Sequence, residues 1–185
     1  MTPPPLTFAL WALLSVGLVV SIVTDLASRR ILDAVTIPVM GVALALRFWL
    51  QGLGDLEQGL LSGLAAGAGA AALFAVLAFR GRGFGWGDVK LMGAVGAALG
   101  YPLVMGALVF ISLVGALQAV VTLVWQGAVW ETLSAAANRW AAKARLVKPR
   151  APTDNPGRHI PYGIAIALGS FWAMWWEHSN LRLVP

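Results

Sequence analysis

The chain has 185 residues, of which 59% are hydrophobic and only 11% charged, against about 45–50% and about 25% in an ordinary soluble domain. That leaves too little polar surface for a water-soluble fold and defines a membrane protein, while the absence of cysteine excludes disulfides, zinc–thiolate sites, iron–sulfur clusters and a cysteine nucleophile. The net charge is +5, but the basic residues sit in short loops between apolar segments, so nucleic acid is not an expected partner.

A bilayer core about 30 Å thick takes about 20 helical residues to cross. The first apolar run is Leu6 to Thr24, closed by "DLASRR". No basic segment precedes it and no small-x-small cleavage site follows, so it reads as a true first helix and not as a removed signal peptide. The second run is Ala34 to Leu50, interrupted by Pro38 and Arg47, and the polar turn "QGLGDLEQ" follows. The third, Gly59 to Phe79, carries Gly59, Gly63 and Gly67 at four-residue spacing, a small-xxx-small face suited to close backbone approach.

"RGRGFGWGD" leads into the fourth run, Val89 to Gly100. It is too short for a full span, so it is expected either to begin inside the membrane plane or to continue through Tyr101. The fifth is Leu103 to Trp125 and the sixth Ile160 to Trp176. Between them, residues 127–158 form a polar insertion. Trp130, Leu133, Ala137, Trp140, Ala144 and Val147 recur there at helical steps, which predicts a basic amphipathic helix on the membrane surface. "KPRAPTDNPGRH" then reads as an extended linker.

Eleven of the thirteen basic residues fall on one side of this topology; Arg47 and Arg182 fall on the other. The positive-inside rule places the eleven in the cytoplasm. The expected fold is therefore all-α, with six transmembrane helices, both termini outside and a cytoplasmic amphipathic helix between the fifth and sixth. The whole chain, 1–185, is expected to form a single transmembrane domain, with anionic lipids as partners of the cytoplasmic loop.

Of the eight acidic residues, Asp55, Glu57, Glu131, Asp154 and Glu177 lie in loops or at a helix end, where water solvates them. Asp25, Asp33 and Asp88 remain, at the cytoplasmic ends of apolar segments. An ionisable group at membrane depth is costly and marks a functional site; the plainer reading is a helix cap, and Asp88 is well placed as an N-cap. Two carboxylates sharing a site hold one proton between them. One can then activate water while the other polarises a scissile carbonyl, with no metal or cofactor. His159 and His178 fall on opposite sides of the membrane, and no H-E-x-x-H spacing exists. Gly85 and Gly87 are expected to use backbone angles closed to other residues and to leave room for a substrate backbone.

"GFGWGDVKL" resembles the G-x-G-D-x-K-L motif of the type IV prepilin peptidases, the GxGD class of intramembrane aspartyl proteases. "DLASRRILDAVTIP" resembles that family's first-aspartate segment and "IPYGIAIALGS" its late I-P-F/Y-G segment, in the family's order along the chain. The resemblance implies Asp25 and Asp88 as the catalytic pair, with Asp33 the rival for the first role. Gly85, Gly87, Lys90, Pro161 and Gly163 would support the site, and no metal would take part. Leu32 and Ile164 stand where the family carries proline. The larger members have an N-terminal cysteine-containing segment associated with N-methylation; this chain resembles the short, peptidase-only forms of Flp/Tad-type pilus systems or the archaeal preflagellin peptidases.

The function so implied is a leader peptidase of the prokaryotic cytoplasmic membrane. It would act on prepilin or pseudopilin precursors, docked against the glycine-rich faces of the third and fourth helices. A small proton- or cation-coupled transporter with the aspartates as ion sites is the alternative, although the two halves share no repeat. A non-catalytic membrane scaffold for an export machine is a third.

Overall fold

The computed structural model describes residues 4–28, 31–80, 85–125, 127, 129–130, 134, 137–138 and 162–181. Among these there are no strands and six α-helices: α1 Pro4–Ser28, α2 Asp33–Gln51, α3 Gly59–Arg80, α4 Trp86–Leu99, α5 Leu103–Trp125 and α6 Tyr162–Leu181. Four segments, Leu6–Ser28, Asp33–Gln51, Gly59–Arg80 and Leu103–Trp125, are long and apolar enough to cross a membrane. Large apolar side chains such as Val16, Val23, Leu64 and Val109 point outward from them, as on a surface that faces lipid.

The chain divides into two compact units. The first holds residues 1–115 and 161–185, and contains α1 to α4, the first half of α5, and α6. The second, residues 116–160, holds the end of α5 and the whole of the polar insertion. Of the expected amphipathic helix, only Trp130 and Ala137 of the apolar stripe are described; both are helical and exposed. Leu133, Trp140, Ala144 and Val147 lie outside the described residues.

In the first unit the helices alternate in direction, as paired contacts show. Asp33 meets Lys90 and Arg47 meets Ala97, so α2 and α4 run parallel. A side chain at Gly67 would meet Gly93 and one at Gly63 would meet Ala97, so α3 runs against α4. Gly163 lies at Asp25 and His178 at Phe8, so α6 runs against α1. Asp25, Asp33, Asp88 and Gly163 consequently share one end of the unit, the aspartate end. Arg47, Gly63 and Gly100 share the opposite, arginine end.

α4 lies at the centre. Every residue from Leu91 to Leu99 is buried, and α1, α2, α3 and α6 all pack on it. Its sequence permits this, because Gly93, Ala94, Gly96, Ala97 and Ala98 let neighbouring backbones come close. In lipid, where apolar side chains gain nothing from leaving water, such contact is what holds helices together. The small-residue face of α3 is matched to it: a side chain on Gly96 would collide with the Ala66 carbonyl, and one on Gly67 would sit 3.0 Å from the Gly93 oxygen. The faces of α3 and α4 expected to dock a substrate are thus closed on each other, and substrate cannot lie between them without prising them apart.

The helix spans depart from expectation at the aspartate end. α1 runs four residues past Thr24, so that Asp25 lies inside its last turn. α4 begins at Trp86 and not at Val89, so the motif itself is helical. It does not continue through Tyr101: Gly100, at φ 70°, closes it and donates its N–H to the Gly96 carbonyl at 2.8 Å. Its 14 residues span about 21 Å, less than the bilayer core.

Candidate active site

Asp25 extends from the last turn of α1 and is 5% exposed. Ser28, three residues further on, is the final helical residue, so the carboxyl lies within about one turn of the helix end. Its Oδ2 is buried and has no hydrogen-bond partner among the described residues. The first turn of α6 closes over it: a Cβ built on Gly163 would stand 2.8 Å from Oδ2. A buried carboxylate oxygen without a partner is expensive, because the group gives up water and receives nothing in exchange.

Asp88 is the third residue of α4 and is 8% exposed. It is not the N-cap. Gly85 holds that position with extended backbone (φ −94°, ψ 158°), and the Asp88 carboxylate reaches back to accept the Gly85 N–H at 2.9 Å. The Asp88 N–H in turn donates to the Gly85 carbonyl at 3.1 Å. This reciprocal pair satisfies the frayed first turn and places a carboxylate at the positive end of the helix macrodipole. It also fixes the side chain with respect to the backbone.

The two glycines of the motif behave differently. Neither adopts a left-handed angle, so the expected backbone role is not what they serve. Gly87 is a matter of space: a Cβ there would stand 2.9 Å from Cβ of Ile31, in the lead-in to α2. The turn that carries Asp88 is thereby seated against the α1–α2 connection. Gly85 is exposed, and a Cβ on it would make only ordinary contacts, the nearest at 3.7 Å to Asp88 Oδ2.

Lys90 donates to Asp33 Oδ2 at 2.6 Å, which ties the first turn of α2 to α4. The partners are 43% and 53% exposed. Asp33 is thus a surface carboxylate with a cation beside it, unlike Asp25 and Asp88. Pro161 lies outside the described residues. Trp86, between the two motif glycines, is 58% exposed and meets Phe79 edge-on at 5.2 Å. Sequence reasoning passed over this pair, which packs the end of α3 against the start of α4.

Ser21 was also passed over. It is fully buried one helical turn before Asp25, and its hydroxyl has no partner among the described residues. The spacing Ser-x-x-x-Asp on one helix face was the available signal. Ser21 shares a narrow gap with Thr36, Leu91 and Ala94. Leu91 is three residues beyond Asp88, so the α1 turn below Asp25 and the α4 turn below Asp88 are neighbours.

Together the fold and site define an all-helical protein with membrane-length apolar helices and two buried carboxylates at one end of a helical unit. The profile of the type IV leader peptidase family matches residues 12–120, more than half of the chain, and the chain belongs to that family. The family makes it a peptidase. The matched region contains Asp25, Asp33 and the whole of Gly85 to Lys90, whereas Gly163 and α6 lie beyond it. No curated protein and no solved structure matches the chain.

Proposed function

We propose that this protein is an aspartic endopeptidase in which Asp25 and Asp88 form the catalytic pair. It removes the leader from type IV pilin-like precursors at the cytoplasmic face of a prokaryotic inner membrane. The observation that carries the reading is the burial of two carboxylates, from α1 and α4, at one end of the unit, one of them with an oxygen that has no partner among the described residues. Structure alone gives no reason to keep such an oxygen; a reaction does.

In this reading the pair shares one proton. One carboxylate accepts a proton from water as the water attacks the scissile carbonyl. The other donates its hydrogen to the carbonyl oxygen, and the leaving amine takes up a proton as the tetrahedral intermediate collapses. Both aspartates lie within about a turn of their helix ends. That depth suits a bond next to the membrane surface, beside a precursor's own membrane helix. The basic loops of the sequence set this end in the cytoplasm, six spans then put both termini outside, and the chain acts as one domain.

The test is proteolysis of a cognate precursor by Asp25→Asn and Asp88→Asn proteins shown to be inserted and folded. Each should lose at least about a hundredfold in kcat, since a general acid or base alone is worth about 10²–10⁴. Processing at the wild-type rate by either variant sinks the pairing.

A further inference from the structure

We propose that Gly163 is a positioning residue for Asp25: its lack of a side chain fixes where the Asp25 carboxyl stands. The inference rests on the reading of Asp25 as catalytic.

Gly163 is the second residue of α6 and is buried. Its φ lies outside the left-handed region, so its backbone is open to any L-residue. What a side chain would meet sets the constraint, and the three nearest atoms it would meet all belong to Asp25. The built Cβ stands 2.8 Å from Oδ2, 3.3 Å from Cγ and 3.4 Å from Cβ of that residue. Other crowded glycines of the unit face main chain or apolar side chains, as Gly96 faces the Ala66 carbonyl and Gly17 faces Val39, or, as Gly100 does, the Arg47 guanidinium and the Ser62 hydroxyl. Gly163 faces the one buried carboxylate oxygen that has no partner among the described residues. A methyl group there would press on the carboxyl from its α6 side, and the carboxyl would turn about the α1 backbone.

The consequence is a separation of effects. Moving a reacting group by about 1 Å can cost about a hundredfold in rate, while the fold can absorb the change by a side-chain rotation. Gly163→Ala should therefore lower kcat about a hundredfold and leave KM for the precursor near its wild-type value. Gly115→Ala is the control: it adds a methyl to the neighbouring α5, whose nearest contact would be an ordinary 3.4 Å to the Tyr162 ring. It should keep wild-type kcat.

Should Gly163→Ala prove poorly folded, a thermal-stability cycle decides. Any loss of melting temperature caused by Gly163→Ala should largely vanish in an Asp25→Ala background, because the colliding group is gone. Wild-type kcat in a folded Gly163→Ala enzyme overturns the inference, as does an equal loss of melting temperature in both backgrounds. Full activity of Asp25→Asn overturns the catalytic reading and the inference with it. An inactive Asp25→Asn beside a fully active Gly163→Ala overturns the inference alone.

Discussion

The two ends of the central helix α4 each bury a charged side chain, and they treat it in opposite ways. At the arginine end Arg47 is 2% exposed, with no acid paired to it among the described residues. Its Nε donates to the Ala97 carbonyl at 2.9 Å and its Nη2 to the Ala98 carbonyl at 3.0 Å. These are the carbonyls that α4 leaves open where it stops, and a cation is favoured at this negative end of the macrodipole. Gly63 and Gly100 give the side chain its room. The Ser62 hydroxyl completes the seal by accepting the Tyr101 N–H at 3.0 Å. Arg47 leaves one nitrogen, Nη1, without a partner among the described residues, yet its other bonds do the work of a cap. At the aspartate end, Asp88 makes a cap too, but Asp25, on α1, has no partner for Oδ2 among the described residues. Burial of a charge is therefore not in itself a sign of catalysis, since Arg47 is buried as a cap.

The sharpest way to break this contrast is to remove each group and read stability and activity separately. Arg47→Met should destabilise the inserted protein by about 3 kcal/mol or more, since two charge-assisted hydrogen bonds at about 1.5–3 kcal/mol each are lost and two carbonyls are orphaned. Its activity per folded molecule should stay near wild type. Asp25→Asn should do the reverse, with activity lost and stability equal or slightly raised, because Oδ2 makes no bond among the described residues that could be lost. Thermal unfolding in detergent beside precursor cleavage reads both. Equal signatures from the two variants would erase the distinction between the ends.

A mid-sized test concerns α4 itself. Gly96→Ala should cost about 1–3 kcal/mol, the range for overpacking a tight core, because the new methyl would collide with the Ala66 carbonyl on α3. Gly69→Ala, on the open face of α3 with nothing within 4 Å, should be neutral or slightly stabilising. Thermal unfolding of the two variants measures how much of the unit's stability the α3–α4 seam carries.

What could be read in the sequence divides along the same line. The apolar runs and the glycine spacing of α3 gave the helices, because period and length are local properties. Asp25 and Asp88 stood out because a carboxylate next to an apolar run is rare. Arg47 was read only as a charge on the side opposite the aspartates, and its capping of α4 was not foreseen: nothing local tells a snorkelling arginine from one that caps a helix fifty residues away. The true start of α4 was hidden for a related reason. Glycine at positions 85 and 87 lowers helix propensity, and only the carboxylate of Asp88 reaching back to Gly85 makes that turn hold. The contact of Gly163 with Asp25 joins segments 138 residues apart, and no pattern along the chain records it.

The smaller effects sharpen the choice between Asp25 and Asp33. Asp33 is half exposed and paired with Lys90 at the surface. Such pairs are worth about 0.2–1 kcal/mol. Asp33→Asn and Lys90→Met should each shift stability by no more than that and retain most of the wild-type kcat, with a sensitivity to salt that both variants lose. A collapse of kcat in Asp33→Asn with Asp25→Asn still active would exchange their roles.

Gly85→Ala is the finest probe. The site without substrate gives glycine no advantage here: the position is exposed, its φ of −94° suits any residue, and a methyl would meet nothing closer than 3.7 Å. The Asp88 cap needs only the backbone N–H, which alanine supplies. Stability of Gly85→Ala should therefore match wild type to within about 0.5 kcal/mol. The activity then carries the information. If kcat and KM also match, glycine at 85 is incidental and the motif's constraint falls on Gly87, pressed against Ile31. If KM rises while the fold is untouched, the space above Gly85 is occupied by the precursor's backbone, and the exposed start of α4 at Gly85 and Trp86 is where the substrate strand lies.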